Sequence, residues 1–212
     1  MTAAGLRYAA VPGTWARKSA PAAAEWWRPG SAWARFVARA GWVPSRPLDP
    51  FLWSTDVDGL PPWLPVGLVL GDAGGHSDWE AGGASLRYYL ESSPADVVIA
   101  HSHGAQVVAY GAAAGLRIPR LITIGSPVRG DMAEVWARAR PQIGRWLHLY
   151  SAGDWWQIFG QFGDGVIGRR RSMPLADRNV EVPGVHHADL LRDPARFDLW
   201  RSRGWLAWAA GR

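Results

Sequence analysis

Several features are missing from this 212-residue chain, and each absence excludes a class of protein. There is no cysteine, which excludes disulfides and thiolate chemistry. No apolar run approaches the roughly 18 residues that a membrane-crossing helix needs. The first residues show no basic stretch followed by an apolar one, so no signal peptide is visible. We therefore expect a cytoplasmic protein without a transmembrane segment, with release by another route as the alternative.

Lysine is almost absent, because all but one of the 23 basic residues are arginine. The net charge is +5 and the pI is about 10.2, yet the arginines are scattered and form no basic helix. We therefore expect no nucleic acid partner, only a weak attraction to anionic surfaces. With 48% hydrophobic and 19% charged residues, the chain can bury a core, and its length fits a single domain over residues 1–212.

The most informative stretch covers residues 97–105. An apolar segment, Val-Val-Ile-Ala, leads into His-Ser-His-Gly-Ala, and a helix-like run follows. Small residues stand two positions before and two after Ser102, as they must where a strand turns directly into a helix. The residue at the apex of such a turn is exposed and strained. This pattern predicts a nucleophile elbow with Ser102 as the nucleophile.

Apolar strand-like segments alternate with helix-like ones along the chain. Strands are predicted at residues 6–11, 50–55, 97–101, 121–125, 145–151 and 179–182, and helices at 31–40, 84–91, 106–114, 131–140 and from 193 toward 208. This alternation predicts a mostly parallel central sheet with helices on both faces. Residues 57–80 and 155–178 are too long for plain connections and are candidate flaps over the site.

A serine nucleophile needs an imidazole base and a carboxylate that orients it. In an α/β arrangement with this elbow, the acid and then the histidine follow the serine along the chain. Asp154 ends a strand and turn, with Asp131 in reserve and Asp164 and Asp189 less favoured. His187 is the preferred base and His186 the alternative. His101 and His148 are interpreted as structural, and His76 has no assigned role.

The tetrahedral intermediate needs two backbone N–H donors. One is the amide of His103, directly after the nucleophile. The second is assigned to Thr14, in the turn after the first strand, in preference to the glycine-rich residues 71–75. Among the 15 tryptophans, the positions of Trp15, Trp155 and Trp156 near turns predict a lipophilic substrate surface. The near-turn residues Trp26, Trp27 and Trp79 are interpreted in the same way. Five others are expected in the core: Trp136, Trp146, Trp200, Trp205 and Trp208.

Together these residues resemble the α/β-hydrolase superfamily, especially small lipase-like esterases with Ala-His-Ser-x-Gly. The resemblance spans roughly residues 6–200 and includes Ile-Gly-Ser-Pro at 124–127 and His-Ala-Asp-Leu-Leu at 187–191. It implies a single-domain α/β-hydrolase fold and a serine esterase or lipase that works through a Ser102-His187-Asp154 triad and an acyl-enzyme. Ala100 and Pro12 depart from the usual Gly and His.

Other readings of the sequence are weaker. A P-loop fails because Pro12 and Arg17 occupy both glycine positions, and neither calcium-loop, zinc nor dinucleotide spacing is present. We therefore expect no metal and no cofactor, and a small-molecule or lipid ester as the substrate. The alternatives are an amidase or acyltransferase on the same triad, a phage-type lytic envelope esterase, and an inactive binding module. Acyl length and oligomeric state stay open.

Overall fold

The computed structural model describes residues 5–14, 25–48, 50–53, 76–159 and 171–212. Its centre is one sheet of six strands. In chain order they are β1 (Leu6–Val11), β2 (Trp42–Pro44), β3 (Val97–His101), β4 (Ile118–Ile124), β5 (Ile143–Tyr150) and β6 (Arg178–Glu181).

Every pairing in this sheet is parallel, and the spatial order is β2-β1-β3-β4-β5-β6. Strand β3, which leads to Ser102, therefore lies in the middle of the sheet, between β1 and β4. All five of its residues are buried, as expected for a parallel strand that is covered on both faces. Because parallel strands end at the same edge, the loops after β1, β3, β4 and β5 meet beside Ser102.

Helices cover both faces of the sheet. They are α1 (Ala32–Ala38), α2 (His76–Ser92), α3 (Gly104–Ala113), α4 (Ala133–Ala139), α5 (Trp155–Phe159), α6 (Asp189–Arg192), α7 (Asp198–Ser202) and α8 (Trp205–Ala209). Ser31 caps α1 by accepting a hydrogen bond from the amide of Ala34 at 3.0 Å, as its sequence position predicted. No helix within the described ranges is long and apolar enough to cross a membrane.

Two hydrophobic clusters lie on opposite faces of the sheet. One contains Val98 and Ala100 with residues of α2, α3 and α4, and the other contains Val97 and Ile99 with residues of α1 and the C-terminal helices. Alternate residues of β3 thus feed the two clusters, which is the period of a strand. The predicted α/β class with helices on both faces is confirmed.

One predicted strand is wrong. Residues 50–53 form no strand; instead β2, which the sequence reasoning missed, pairs with β1. Phe51 packs on Tyr89 at a ring distance of 5.4 Å, and the indole of Trp53 donates to the carbonyl of Pro12 at 2.7 Å. These apolar residues are therefore held by side-chain contacts rather than by a strand ladder.

The predicted final helix is also interrupted. It consists of a 3₁₀ turn at Pro194–Arg196 followed by α7 and α8. Gly204 separates the two helices in a left-handed conformation, with φ of 72°, which a continuous helix does not allow. The break lets Trp200 and Trp205 face each other edge to face, with ring centroids 5.8 Å apart.

The two candidate flaps are described only in part. Of residues 57–80, the described part, 76–80, forms the start of α2. Of residues 155–178, the first five form α5 and residues 171–178 lead into β6, while 160–170 lie outside the described residues. Asp164, the less favoured acid, also lies outside the described residues. Flaps over the site stay a prediction.

Candidate active site

Ser102 has the backbone geometry of a nucleophile elbow. Its φ is +53°, and no other non-glycine residue in the described ranges has a positive φ. A serine in this left-handed region is strained, and strain of this kind accumulates at functional sites. Its amide donates to the carbonyl of Ile124 at 3.0 Å, which ties the turn to the end of β4. The side chain is partly exposed, so it is open to a substrate.

Two glycines let the neighbouring chain approach this turn closely. A Cβ on Gly104 would lie only 2.5 Å from the carbonyl oxygen of Pro12, and a Cβ on Gly13 would lie only 2.8 Å from the Cβ of Ser102. Either atom would force the turn after β1 away from the elbow. The requirement for small residues beside Ser102, inferred from the sequence, thus has its physical cause in the packing of residues 12–13.

Asp154 and His187, predicted as acid and base, are brought together. Nδ1 of His187 and Oδ2 of Asp154 lie 2.8 Å apart in a hydrogen bond, and because a carboxylate can only accept, the ring nitrogen is the donor. The Asp154 side chain is 2% exposed and that of His187 is 19% exposed. The other carboxylate oxygen accepts from the amide of Trp156 at 3.0 Å. The carboxylate is therefore held from two sides.

Gly125, at the end of β4, makes room for this pair. A Cβ at this position would lie 3.0 Å from the carbonyl oxygen of His187 and 3.2 Å from Oδ2 of Asp154. Its φ of +59° also favours glycine. The amide of Ser102 is hydrogen-bonded to the carbonyl of Ile124, the residue that precedes Gly125. The end of β4 therefore links the serine with the histidine–aspartate pair.

His101 forms the other link between the elbow and His187. Its Nε2 donates to the carbonyl of His187 at 3.0 Å, and the two rings lie 4.6 Å apart. Burial, together with the nearby His187 ring, holds the pKa of His101 well below its ordinary value. A neutral His101 thus fixes the backbone of His187, in agreement with its structural interpretation. Within the described residues, the Ser102 hydroxyl and the His187 ring share no hydrogen bond.

The turn after β1 brings Thr14 next to the residue that follows the serine. Oγ1 of Thr14 and Nδ1 of His103 share a hydrogen bond of 3.0 Å. The indole of Trp53, by its bond to the Pro12 carbonyl, fixes the same turn from the other side. Both predicted oxyanion donors, the amides of Thr14 and His103, therefore belong to segments that are in direct contact.

The tryptophans divide into two groups. Trp155 and Trp156 are 68% and 58% exposed and directly follow Asp154. Trp26, Trp27 and Trp79 are buried in the core, which contradicts their interpretation as substrate surface. The five expected core tryptophans are all buried. Trp15 lies outside the described residues, as does the alternative oxyanion turn at 71–75. No group of three or more metal-ligand side chains occurs in the described part of the chain.

The remaining candidates have other partners. His186 is exposed, and its amide donates to Asp189 at 2.6 Å. His148 is buried; its Nε2 donates to the Arg171 carbonyl at 2.8 Å, and burial lowers its pKa to about 4. This agrees with its structural interpretation.

Sequence reasoning missed a second histidine–aspartate pair. Nε2 of His76 donates to Asp131 at 3.0 Å, and Nδ1 contacts the hydroxyl of Tyr110 at 2.6 Å. Asp131 also accepts from Arg129 at 2.9 Å. Burial raises the pKa of Asp131, but the hydrogen bonds from Arg129 and His76 outweigh it and hold that pKa below its ordinary value. No sequence motif connects these residues, which are brought together only by the fold.

No family model matches the sequence, and no curated protein is significantly similar to it. Solved structures do match. A protein described as a predicted CIB-like hydrolase from Thermoplasma acidophilum superposes with a TM-score of 0.56 at 10% identity, over 100% of this chain and 89% of that chain. The chain has an α/β-hydrolase fold. This agrees with the resemblance inferred from the motifs.

Two further structures are similar at lower TM-scores. The esterase domain of a Rhodothermus marinus protein matches at 0.49, with 16% identity over 99% of this chain and 88% of that chain. One of the metagenome-derived lipolytic enzymes LipS and LipT matches at 0.47, with 15% identity over 96% and 94%. At such identities the likeness concerns the fold.

Proposed function

We propose that this protein is a cofactor-free serine hydrolase that cleaves carboxylic esters through an acyl-enzyme. The observation that carries the proposal is the 2.8 Å hydrogen bond between His187 and the buried Asp154, at the sheet edge where Ser102 occupies its strained turn. The serine, the histidine and the buried carboxylate each follow a different strand of one parallel sheet. This is the arrangement that activates a serine hydroxyl in enzymes with a nucleophile elbow.

In the first half of the reaction, Oγ of Ser102 attacks the ester carbonyl carbon. Nε2 of His187 takes the hydroxyl proton, while Asp154 holds Nδ1–H and stabilises the imidazolium. The C–O bond of the ester then breaks, and His187 returns the proton to the departing alcohol. The hydrogen bond between Ser102 and His187 forms in the substrate complex, since such bonds often tighten only there.

In the second half, water repeats these steps on the acyl-enzyme. His187 takes a proton from water, the hydroxide adds to the acyl carbon, and the carboxylic acid leaves as Ser102 regains its proton. In both halves the carbonyl oxygen becomes negative in the tetrahedral intermediate. The amides of Thr14 and His103 donate hydrogen bonds to that oxygen. Such stabilisation of the developing charge is often the largest single contribution to the rate enhancement of an enzyme.

The substrate class rests on the surface next to Asp154. Trp155 and Trp156 place two exposed indoles at the start of α5, and Trp156 is fixed through its amide to Asp154. Large rings of this kind contact apolar groups readily, which supports an ester with a lipophilic acyl chain.

Steady-state hydrolysis of p-nitrophenyl esters of increasing acyl length tests the proposal. Ser102→Ala should lower kcat/KM by at least about 10³-fold while the melting temperature stays near that of the wild type. Ser85→Ala is the matched control, because Ser85 is an exposed serine on α2 whose hydroxyl bonds only its own helix at 3.0 Å. Undiminished turnover by Ser102→Ala would contradict the mechanism.

The same assay separates ester hydrolysis from the other uses of this triad. Added alcohols or amines should leave hydrolysis as the dominant product; predominant transfer to them would indicate an acyltransferase. Faster cleavage of anilides than of matched esters would indicate an amidase. A folded protein that hydrolyses none of these substrates would favour a binding module.

A further inference from the structure

The two proposed oxyanion donors come from parts of the chain that are far apart in sequence. Thr14 follows β1 and His103 follows β3, 89 residues later, yet their side chains share the 3.0 Å hydrogen bond between Oγ1 and Nδ1. This contact directly joins the two turns whose amides must converge on one oxygen atom. A side-chain bond at this place therefore bears on the distance between the two donors.

The His103 ring is itself held in place by packing. Trp79 of α2 stacks on it with ring centroids 5.3 Å apart and an interplanar angle of 28°. Trp79 is only 1% exposed, so the surface on which His103 rests belongs to the hydrophobic core. The stack limits rotation of the imidazole and keeps its Nδ1 edge toward Thr14.

A charged group also contacts the Trp79 ring. The guanidinium of Arg129 lies 5.1 Å from the ring centre of Trp79, in cation–π geometry. Asp131 in turn binds Arg129 at 2.9 Å and His76 at 3.0 Å. The second histidine–aspartate pair thus supports Trp79 in two ways: the His76 ring packs against it with centroids 5.3 Å apart, and Asp131 binds the Arg129 that lies over it.

From this geometry we infer that the His103 imidazole is a positioning residue that fixes the oxyanion hole. It binds the Thr14 hydroxyl and so holds the Thr14 amide at the correct distance from its own backbone amide. This inference rests on the proposed function, because it assigns a side-chain role within the proposed hole. The sequence reasoning gave His103 only a backbone role.

The bond between His103 and Thr14 preorganises the two donors. Donors that stabilise an oxyanion must be aimed before charge develops, and misplacement by about 1 Å can cost on the order of 10²-fold in rate. Trp53 fixes the carbonyl of Pro12, two residues before Thr14, but that bond leaves Thr14 itself to be oriented by His103. Loss of the hydrogen bond between Thr14 and His103 should therefore destabilise the transition state more than it weakens substrate binding.

Kinetics on the intact protein with a p-nitrophenyl ester test the inference. Thr14→Val removes the hydroxyl but keeps the side-chain shape and the amide, and His103→Phe keeps a ring on Trp79 but removes the nitrogen. Each should lower kcat about tenfold with KM changed less than about twofold. Thr14→Ser, which keeps the hydroxyl, should restore most of the lost rate.

The double variant Thr14→Val/His103→Phe completes the test. If the two side chains act through one bond, the double variant should be no slower than the slower single variant. Wild-type kcat in Thr14→Val, or losses that multiply in the double variant, would overturn the inference. If the wild type itself hydrolyses no ester, the proposed function fails instead, so the two failures are distinguishable.

Discussion

The protein contains two histidine–aspartate pairs, and they differ in what surrounds them. His187 and Asp154 are 19% and 2% exposed, whereas His76 and Asp131 are 45% and 25% exposed. Asp131 accepts hydrogen bonds from both Arg129 and His76. Both ring nitrogens of His76 are engaged, one by Asp131 and the other by the hydroxyl of Tyr110. In the described residues, Nε2 of His187 makes no hydrogen bond.

The difference shows why a pair of residue types is not by itself a catalytic unit. A base needs one nitrogen oriented by a carboxylate and the other open toward the nucleophile. In the described residues, His187 has its Nδ1 held by Asp154 and its Nε2 without a hydrogen bond, as the proposed base requires. His76 meets only the first condition, because Asp131 binds its Nε2 but the hydroxyl of Tyr110 engages its second nitrogen. Its place is structural, since its ring packs directly against Trp79 with centroids 5.3 Å apart.

The largest expected effect separates the two histidines. His187→Gln should lower kcat/KM for ester hydrolysis by about 10³-fold or more, because the proposed general base is lost. His76→Gln should stay within about threefold of the wild type, and His186→Gln serves as a control for the loop of His187. Steady-state kinetics measure both variants. An equal loss of kcat/KM in His76→Gln and His187→Gln would contradict the assignment of His187 as the base.

Loss of the Asp154 carboxylate should likewise lower the rate far more than loss of the Asp131 carboxylate. Asp154→Asn removes the acceptor for Nδ1–H of His187, so the ring loses its orientation and kcat should fall about 10²- to 10³-fold. Asp131→Asn should lower kcat less than about threefold and reduce the free energy of unfolding by about 1 kcal/mol or less, since this ion pair is partly exposed. Kinetics and urea denaturation measure both quantities. A greater kinetic loss in Asp131→Asn would reassign the acid.

The space around the first pair can be tested through Gly125. Gly125→Ala adds a methyl group 3.0 Å from the His187 carbonyl oxygen, and kcat should fall on the order of 10²-fold as the histidine shifts. Gly204→Ala is the matched control, because its φ of 72° imposes similar strain with nothing within 4 Å of the new Cβ. Both variants should lose about 1–2 kcal/mol of stability. Normal kcat in Gly125→Ala would show that the pair tolerates displacement.

A smaller effect concerns stability at acid pH. The pKa of His148 is about 4 in the folded protein because burial disfavours its charged form, below the ordinary value of 6.5. Between these values the unfolded chain binds the additional proton, so the free energy of unfolding should fall as the pH is lowered from about 6.5 to 4. His148→Asn should flatten this dependence in denaturation curves at several pH values. An unchanged slope would assign the effect to other groups, with His101 the next candidate.

The parts of the fold that follow from the sequence are those fixed by local pattern. The apolar run before Ser102 and the small residues around it specify β3 and its turn, because few side chains fit there. Ser31 predicts the start of α1 for the same local reason. Residues 50–53 show where local pattern fails: their apolar side chains fit a strand, but the edge of β1 is taken by Trp42–Pro44, which are too short to be recognised in advance.

In the candidate site, too, some features follow from the sequence and others only from the fold. Ser102, Asp154 and His187 were predicted from order along the chain, and the fold brings the last two into contact; their catalytic roles stay proposals. The His103–Thr14 bond, the Trp79 stack and the His76–Asp131 pair join residues that are distant in sequence. No periodicity reports such contacts, because they depend on the packing of α2 against the turns after β1 and β3.

The most direct test of the account is to treat the folded protein with a fluorophosphonate and locate the adduct by intact and peptide mass spectrometry. We expect a single adduct on Ser102, which is absent in Ser102→Ala and forms much more slowly in His187→Gln but not in His76→Gln. No adduct on the folded protein, or an adduct on another serine, would contradict it.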